Sequence, residues 1–339
     1  MSAFLSGEMK DTVQMNPAGA YVLERFFSRK ERRDLFRSWA GSASMWLKGG
    51  NTIWGNDTHA PDDWPNAVHT HGELIAFRQA PKVGLAGSNT TFPKLTAEQA
   101  GAWILERTPP SFQKMLNTNY SFGLERDETI LERNSLDHTK WSNPLEVRLP
   151  NAPSMTLYCV YGHGKETERS YWYMGGVHGH DDITKDDIDQ VCRDPSSDDC
   201  INNLEFLNIP STKQTWIDAA FTNDTIIPKN LYFGQVQNGI KIGEGDGTVS
   251  LLSLGAMCVE GWRRPRWNPG GIRVVTVELP HRPVSWMPRG GANTSDHVDI
   301  LGSMSLNEII VKVATGVGHE VAENYVSNIR EYAKKIEWD

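Results

Sequence analysis

Apolar positions near the start of the chain recur with the period of a helix. Residues 17–46 follow this pattern, with one apolar face made of Tyr21, Val22, Phe26 and Phe27. Ser28 is followed three residues later by Glu31, which is typical of a capping box, in which each side chain accepts a backbone N–H of the other residue. We therefore predict two helices here, and the second begins after Ser28.

A further helix and two strands are predicted along the rest of the chain. Thr96 and Gln99 form another capping pair, and the prolines at 109–110 end that helix. Residues 155–161 and 272–279 are short apolar runs rich in β-branched and aromatic residues, as in buried strands. We predict that they lie side by side as parallel strands of an α/β fold.

Two polar segments near these strands have the residue types of a catalytic acid and base. Residues 245–249 read GDGTV, and residues 295–299 read SDHVD. In α/β-hydrolases an acid follows one late strand and a histidine follows the next, downstream of a serine on a Gly-x-Ser-x-Gly turn. His297 would then take the serine proton while Asp246 holds the imidazole tautomer. An ordinary Gly-Asp-Gly turn with a surface histidine is the alternative.

This assignment leaves two questions open. His281 directly follows the predicted strand 272–279 and competes with His297 for the role of base. We favour His297 because Asp296 and Asp299 lie on either side of it, and their charge would stabilise an imidazolium. No serine here has glycine at both neighbouring positions, so we expect the third triad member to be missing and one sheet edge to be uncovered.

The composition argues against two classes of partner or location. A formal net charge of −8 over 339 residues is unlike that of nucleic-acid-binding proteins, which present clustered Lys and Arg. We interpret the arginines of residues 263–266 as a solvated loop beside a core tryptophan. No apolar run approaches the roughly 18 residues that span a bilayer, and no signal peptide follows Met1.

A long polar segment covers residues 173–242. It includes His178, His180 and several aspartates, but their spacing fits neither an EF-hand nor a zinc site. We predict a solvated acidic loop without a metal, and we interpret His69 and His71 in the same way. Cys192 and Cys200 lie eight residues apart, and both a local disulfide and two free thiols are compatible with that spacing.

Several longer motifs are more specific than these patterns. They are WSNPLE at 141–146, LPNAP at 149–153, YG at 161–162 with TER at 167–169, GDGTV at 245–249 and DHVDILG at 296–302. LSGEMKDT at 5–12 and KGGNTIWG at 48–55 agree with them. Together they resemble the phospholipid:diacylglycerol acyltransferase branch of the lecithin:cholesterol acyltransferase family, most of all its fungal members, over nearly the whole chain.

The resemblance implies an enzyme that moves the sn-2 acyl group of a phospholipid to diacylglycerol, without acyl-CoA and without a cofactor. It implies a Ser-Asp-His triad in which Asp246 and His297 match the acid and the base, whereas the family's serine precedes the segment equivalent to residues 5–8. Ser250 and His163 depart from the family pattern, which usually has proline and an aliphatic residue there. A lipid-binding remnant without activity and a phospholipase that uses water are the alternatives.

The resemblance also implies an architecture and a location. We expect residues 1–150 to form a cap or lid of helices and loops. Residues 151–339 would be the C-terminal portion of an α/β-hydrolase core. The family resemblance implies phospholipid and diacylglycerol as substrates, a membrane surface as partner, and a catalytic domain in the lumen of the endoplasmic reticulum.

Overall fold

The computed structural model describes residues 25–39, 41, 44–65, 67, 69–79, 94–106, 108–175, 215–217, 236–237 and 239–339. Its helices are α1 (Arg29–Ser38), α2 (Gly50–Trp54), α3 (Ala97–Glu106), α4 (Pro110–Asn119), α5 (Glu128–Asn134), α6 (Leu251–Val259), α7 (Met304–Ala314) and α8 (Ile329–Lys334). Its strands are β1 (Ile75–Gln79), β2 (Lys94–Leu95), β3 (Thr156–His163), β4 (Lys165–Gly175), β5 (Thr215–Ile217), β6 (Val236–Gln237), β7 (Ile240–Gly245) and β8 (Arg273–Pro280). The protein is therefore of mixed α/β class.

The predicted helix starts after Ser28 and Thr96 are confirmed, whereas the first helix predicted from residue 17 begins outside the described residues. Ser28 Oγ accepts the backbone N–H of Glu31 at 3.2 Å, and the Glu31 carboxylate accepts the backbone N–H of Ser28 at 2.8 Å. Helix α3 begins directly after Thr96, whose backbone N–H donates to Gln99 Oε1 at 3.1 Å. The Thr96 hydroxyl has no hydrogen-bond partner among the described residues, so only half of the predicted capping pair is present. Pro110 begins α4 as well as separating it from α3, because proline fits the first turn of a helix.

The larger sheet has the strand order β2-β1-β4-β7-β6, and β5 pairs with β4. Strand β1 runs parallel to β4, whereas β7 runs antiparallel to it. A β-bulge between Glu168 and Ser170 interrupts the pairing of β4 with β7. Such a bulge turns side chains of the strand away from the regular alternation, and it occurs here at Arg169.

The second sheet confirms the two predicted strands. Strands β3 and β8 are parallel, in a register that runs from Thr156 opposite Arg273 to His163 opposite Pro280. Valines at 274, 275 and 277 are buried in β8, as expected of a strand covered on both faces. Among the residues that the structure describes, β3 has no strand partner on its other edge.

Helix α6 joins the two sheets. It contacts β7 of the larger sheet, β3 and β8 of the smaller one, and helix α8. Seven of its nine residues are buried, and they include Leu251, Leu252 and Ala256. Because α6 follows β7 after a short turn, that turn lies where the two sheets meet.

Candidate active site

Asp246 lies in the short turn that joins β7 to α6. Its Oδ1 accepts the backbone N–H groups of Thr248 and Val249 at 2.9 and 2.7 Å, so the side chain closes its own turn. Gly247 has a φ of 91°, a conformation that glycine adopts without steric cost. The carboxylate is only 6% exposed, and its second oxygen is free to hold another donor.

His297 supplies that donor. Its Nδ1 lies 2.9 Å from Asp246 Oδ2, and its backbone N–H donates to the Asp246 carbonyl at 3.1 Å. The two residues are 51 positions apart in sequence. The contact predicted from the sequence is therefore present, while the catalytic role of the pair stays a prediction.

The hydrogen bonds determine which imidazole nitrogen can act as a base. With Asp246 ionised, the carboxylate can only accept, so Nδ1 of His297 carries the proton. The neutral ring then has its lone pair on Nε2, which has no hydrogen-bond partner among the described residues. The side chain is 43% exposed. The pair can thus take a proton from a hydroxyl group that reaches Nε2.

His281 has a different position. Its Nδ1 accepts the backbone N–H of Ser295 at 3.2 Å, and its own backbone N–H donates to the His163 carbonyl at 2.8 Å. Burial and the nearby charge of Lys165 lower the pKa of His281, which favours the neutral ring that this hydrogen bond requires. His281 therefore anchors the loop that carries His297 instead of contacting Asp246.

The two aspartates beside His297 do not select it in the way that the sequence suggests. Asp296 and Asp299 do not act as free charges beside the ring: Asp296 pairs with Lys165 at 2.8 Å, and Asp299 pairs with the Arg289 guanidinium. Burial would raise the pKa of Asp296, but the hydrogen bond and charge of Lys165 lower it overall. The contact with Asp246 is what distinguishes His297.

Two glycines bring the backbone segments of this site close together. A Cβ atom on Gly162 would lie 1.7 Å from the Ser295 carbonyl oxygen, and one on Gly245 would lie 2.2 Å from the Val249 carbonyl oxygen. Real side chains do not tolerate such distances, so both positions need glycine. The end of β3 thereby contacts the loop that presents His297.

A second cluster of charged residues is buried around Arg169, the residue at the β-bulge of the larger sheet. Arg169 donates to both oxygens of Asp62 at 2.8 and 3.0 Å, and to the carbonyl of Trp54 at 2.8 Å. His71 lies beside Asp62, and Lys241 lies 3.8 Å from Asp63. The interpretation of His71 as part of a solvated loop is wrong, because its side chain is 1% exposed.

The arginine run at 263–266 has structural partners. Arg263 contacts Glu323 and donates to the Tyr325 hydroxyl at 2.8 Å, and Arg264 contacts Asp339. Trp267 beside them is fully buried, as predicted. These pairs join the end of α6 to the C-terminal segment.

Comparison with known proteins now gives the family. Residues 1–304 match the model of the lecithin:cholesterol acyltransferase family. The chain belongs to this family. No solved structure matches it significantly.

Curated relatives of this acyltransferase-family chain have related names. It is 35% identical over 339 residues, the whole chain, to the phospholipid:diacylglycerol acyltransferase of Schizosaccharomyces pombe, of which it covers 46%. It is 34% identical over 338 residues, 98% of the chain, to that of Saccharomyces cerevisiae, of which it covers 43%. A putative phospholipid:diacylglycerol acyltransferase 2 of Arabidopsis thaliana is 30% identical over 238 residues, covering 69% of this chain and 30% of that protein. The chain spans less than half the length of these relatives.

Sequence reasoning missed one covalent link of this family member. Cys159 in β3 and Cys258 in α6 form a disulfide across 99 residues. The spacing of the cysteines points only to the local pair of Cys192 and Cys200. These two cysteines, together with His178 and His180, lie outside the described residues. Within the described ranges, no group of three potential metal ligands occurs, and no helix is long and apolar enough to cross a membrane.

Proposed function

We propose that Asp246 and His297 are the acid and base of an acyltransferase that moves the sn-2 acyl group of a phospholipid to diacylglycerol. The observation that carries this proposal is the 2.9 Å contact between the buried carboxylate and a histidine whose Nε2 is open. Similarity over the whole chain to the corresponding parts of proteins named phospholipid:diacylglycerol acyltransferase supports the substrates.

The proposed reaction has two halves. A serine hydroxyl gives its proton to His297 Nε2 and attacks the ester carbonyl, and the lysophospholipid leaves with that proton. The diacylglycerol hydroxyl then gives its proton to Nε2 and attacks the acyl-serine, so triacylglycerol forms and the serine is reprotonated. Asp246 stabilises the imidazolium in each half. The nucleophile would be a serine that this sequence does not supply on a Gly-x-Ser-x-Gly turn.

The same proposal assigns the architecture. Residues 151–339 would be the C-terminal part of an α/β-hydrolase core, and residues 1–150 would be its cap. The parallel pairing of β3 with β8 supports this, as does an acid after β7 and a histidine after β8. Strand β1 lies in the first part but pairs with β4, so the two parts share one sheet.

We also propose that the protein acts at a membrane surface in the lumen of the endoplasmic reticulum. The disulfide between Cys159 and Cys258 supports that compartment, because disulfides persist in oxidising environments and are rare in the cytosol. Both proposed substrates are membrane lipids, so the site must reach a lipid surface to bind them.

A chimaera tests the chemistry. In it, this chain replaces the segment that it matches in the fission-yeast relative, so that the rest of the relative is present. Phosphatidylcholine with a labelled sn-2 chain is offered with diacylglycerol and without acyl-CoA. We expect labelled triacylglycerol, and His297→Ala should reduce its formation by about 10³-fold or more.

Controls separate the alternatives. His319→Ala changes an exposed histidine outside the site and should leave the rate unchanged. Free fatty acid as the main product would support a phospholipase that uses water. If the folded chimaera, checked by its thermal melting, retains full activity with His297→Ala, the assignment of the base is wrong.

A further inference from the structure

The first residues of β4 contact the turn that carries Asp246 and the loop that carries His297. Thr167 lies under the Asp246 turn and is 1% exposed. Its Oγ1 accepts the backbone N–H of Gly247 at 2.8 Å and donates to the Lys165 carbonyl at 3.0 Å. A hydroxyl group can make both hydrogen bonds because it is a donor and an acceptor at once, whereas a methyl group of similar size can make neither.

The fit around this hydroxyl is close. A Cβ atom on Gly245 would lie 2.6 Å from Thr167 Oγ1, so the turn can contact the threonine only because residue 245 is glycine. The next residue after Gly245 is Asp246 itself, and Gly247 follows. Thr167 therefore fixes the backbone on both sides of the acid.

Lys165 contacts the loop that carries His297, the second residue of the pair. Its Nζ lies 2.8 Å from Asp296 Oδ2, and Asp296 Oδ1 accepts the backbone N–H of Asp299 at 2.8 Å. Asp296 directly precedes His297, so this ion pair fixes the start of the loop that carries the base. The Asp296 side chain is 13% exposed, and an ion pair with that degree of burial is screened less than a surface pair.

We propose that Lys165 and Thr167 are positioning residues that hold the Asp246 turn and the His297 loop in register. Their side chains bond to the Asp246 turn and to Asp296, not to Nε2 of His297, so they act through the two residues that do the chemistry. This inference rests on the proposed function for its effect on rate. The geometric part, the hydrogen bond between Asp246 and His297, can be measured without any activity.

The first test observes that hydrogen bond in the 339-residue chain. With ¹⁵N-labelled histidine, the Nδ1–H proton of His297 gives a downfield resonance when a carboxylate accepts it, and His297→Gln identifies the resonance by removing it. Thr167→Val keeps the shape but removes the hydroxyl, and it should abolish or broaden the resonance. Thr167→Ser should retain it. Thr96→Val is the matched control, because Thr96 is buried and its Oγ1 has no hydrogen-bond partner among the described residues.

The second test measures the rate in the chimaera. Thr167→Val should lower kcat about 10- to 100-fold with little change in KM, since small misplacements of catalytic groups cost that much. Lys165→Met should act in the same direction, and Lys165→Arg should recover most of the rate. If Thr167→Val also prevents folding, the Lys165 pair of variants still decides the question.

The outcomes distinguish the positioning role of Lys165 and Thr167 from the proposed acyltransferase function. If Thr167→Val and Lys165→Met match Thr96→Val in resonance and in rate, the positioning role is wrong. If serine and valine at position 167 are equally damaging, the hydroxyl is not the cause and the proposal also fails. If the resonance responds as expected while His297→Ala leaves the rate unchanged, the positioning holds and the proposed function is what fails.

Discussion

The pair of Asp246 with His297 differs from the pair of Asp62 with His71 in almost every respect that matters for chemistry. Nδ1 of His297 lies 2.9 Å from Asp246, and Nδ1 of His71 lies 3.4 Å from Asp62. His297 is 43% exposed, whereas His71 is 1% exposed. Asp246 uses one oxygen for its own turn and the other for the ring.

The Asp62 carboxylate is bound mainly by a cation, because Arg169 donates to both of its oxygens. Nδ1 of His71 lies 3.1 Å from the main-chain carbonyl oxygen of Asp62. Burial would raise the pKa of Asp62, but the charges of Arg169 and His71 lower it strongly. Burial lowers the pKa of His71, although Asp62 opposes this. His71 Nε2 is buried and has no partner among the described residues, so no substrate can reach it.

An Asp–His contact alone therefore does not indicate a catalytic pair. A base must present a free nitrogen to solvent or substrate. The Asp62 cluster joins residues 54–71 to β4, so its role is in stability. The two regions can therefore be separated by experiment.

The largest expected effect is the loss of Arg169. Arg169→Met leaves the Asp62 carboxylate buried without its cation, and we expect it to reduce the free energy of unfolding by about 3–5 kcal/mol. Urea unfolding of the chain measures this. Adding Asp62→Leu to the same variant should restore part of the loss, because both charges are then absent.

Lys312→Met is the control for this experiment. It removes a cation whose ion pair with Glu308, at 2.8 Å, lies on an exposed face of α7. Water screens that pair, so the urea midpoint should hardly change. If Arg169→Met is as stable as Lys312→Met, the buried cluster does not stabilise the fold as argued.

The contrast between the regions also explains what the sequence could predict. The strands at 155–161 and 272–279, the cap at Ser28 and the start of α3 after Thr96 were predictable, because local patterns specify them. The contact of Asp246 with His297 was predictable because both follow strands in a known order. Nothing local indicates that Arg169 is buried against Asp62, since the two are 107 residues apart and charged residues are usually exposed.

The next largest effect concerns pH and the loop that carries His297. The pKa of His281 is lowered below 6.5 by burial and by Lys165, although Asp296 and Asp299 oppose this. The folded state thus binds fewer protons than the unfolded state, so the contribution of His281 to stability is present above about pH 6.5. It is lost as the pH falls through the lower, folded-state pKa. The loss includes the hydrogen bond from the Ser295 N–H, which a protonated Nδ1 cannot accept. Because the ring is partly exposed and solvent screens it, we expect an effect of about 1 kcal/mol or less.

Thermal melting between pH 5 and pH 8 measures this contribution. Asparagine places an oxygen near the position of Nδ1 and does not titrate, so His281→Asn should melt with a weaker dependence on pH than the unchanged chain. His319→Asn, at an exposed position, should keep the original dependence. An unchanged dependence in His281→Asn would show that another group is responsible.

The smallest expected effect concerns the turn that presents Asp246. Ser250 has φ −60° and ψ 143°, values that proline adopts, and its Oγ is buried without a partner among the described residues. No backbone hydrogen bond from its N–H is present either among those residues. Ser250→Pro should therefore stabilise the chain by about 0.4–1 kcal/mol, because it restricts the unfolded chain without removing a native contact.

Ser303→Pro is the opposite case at a similar backbone angle. Ser303 has φ −72°, but its N–H donates to the Ile300 carbonyl at 2.9 Å and its Oγ caps α7 by accepting the Leu306 N–H at 3.2 Å. Proline removes both bonds, so this variant should be less stable. Urea midpoints of the two variants should move in opposite directions. If Ser250→Pro also lowers the midpoint, the turn after Asp246 is not held in the proline-like conformation from which its rigidity is argued.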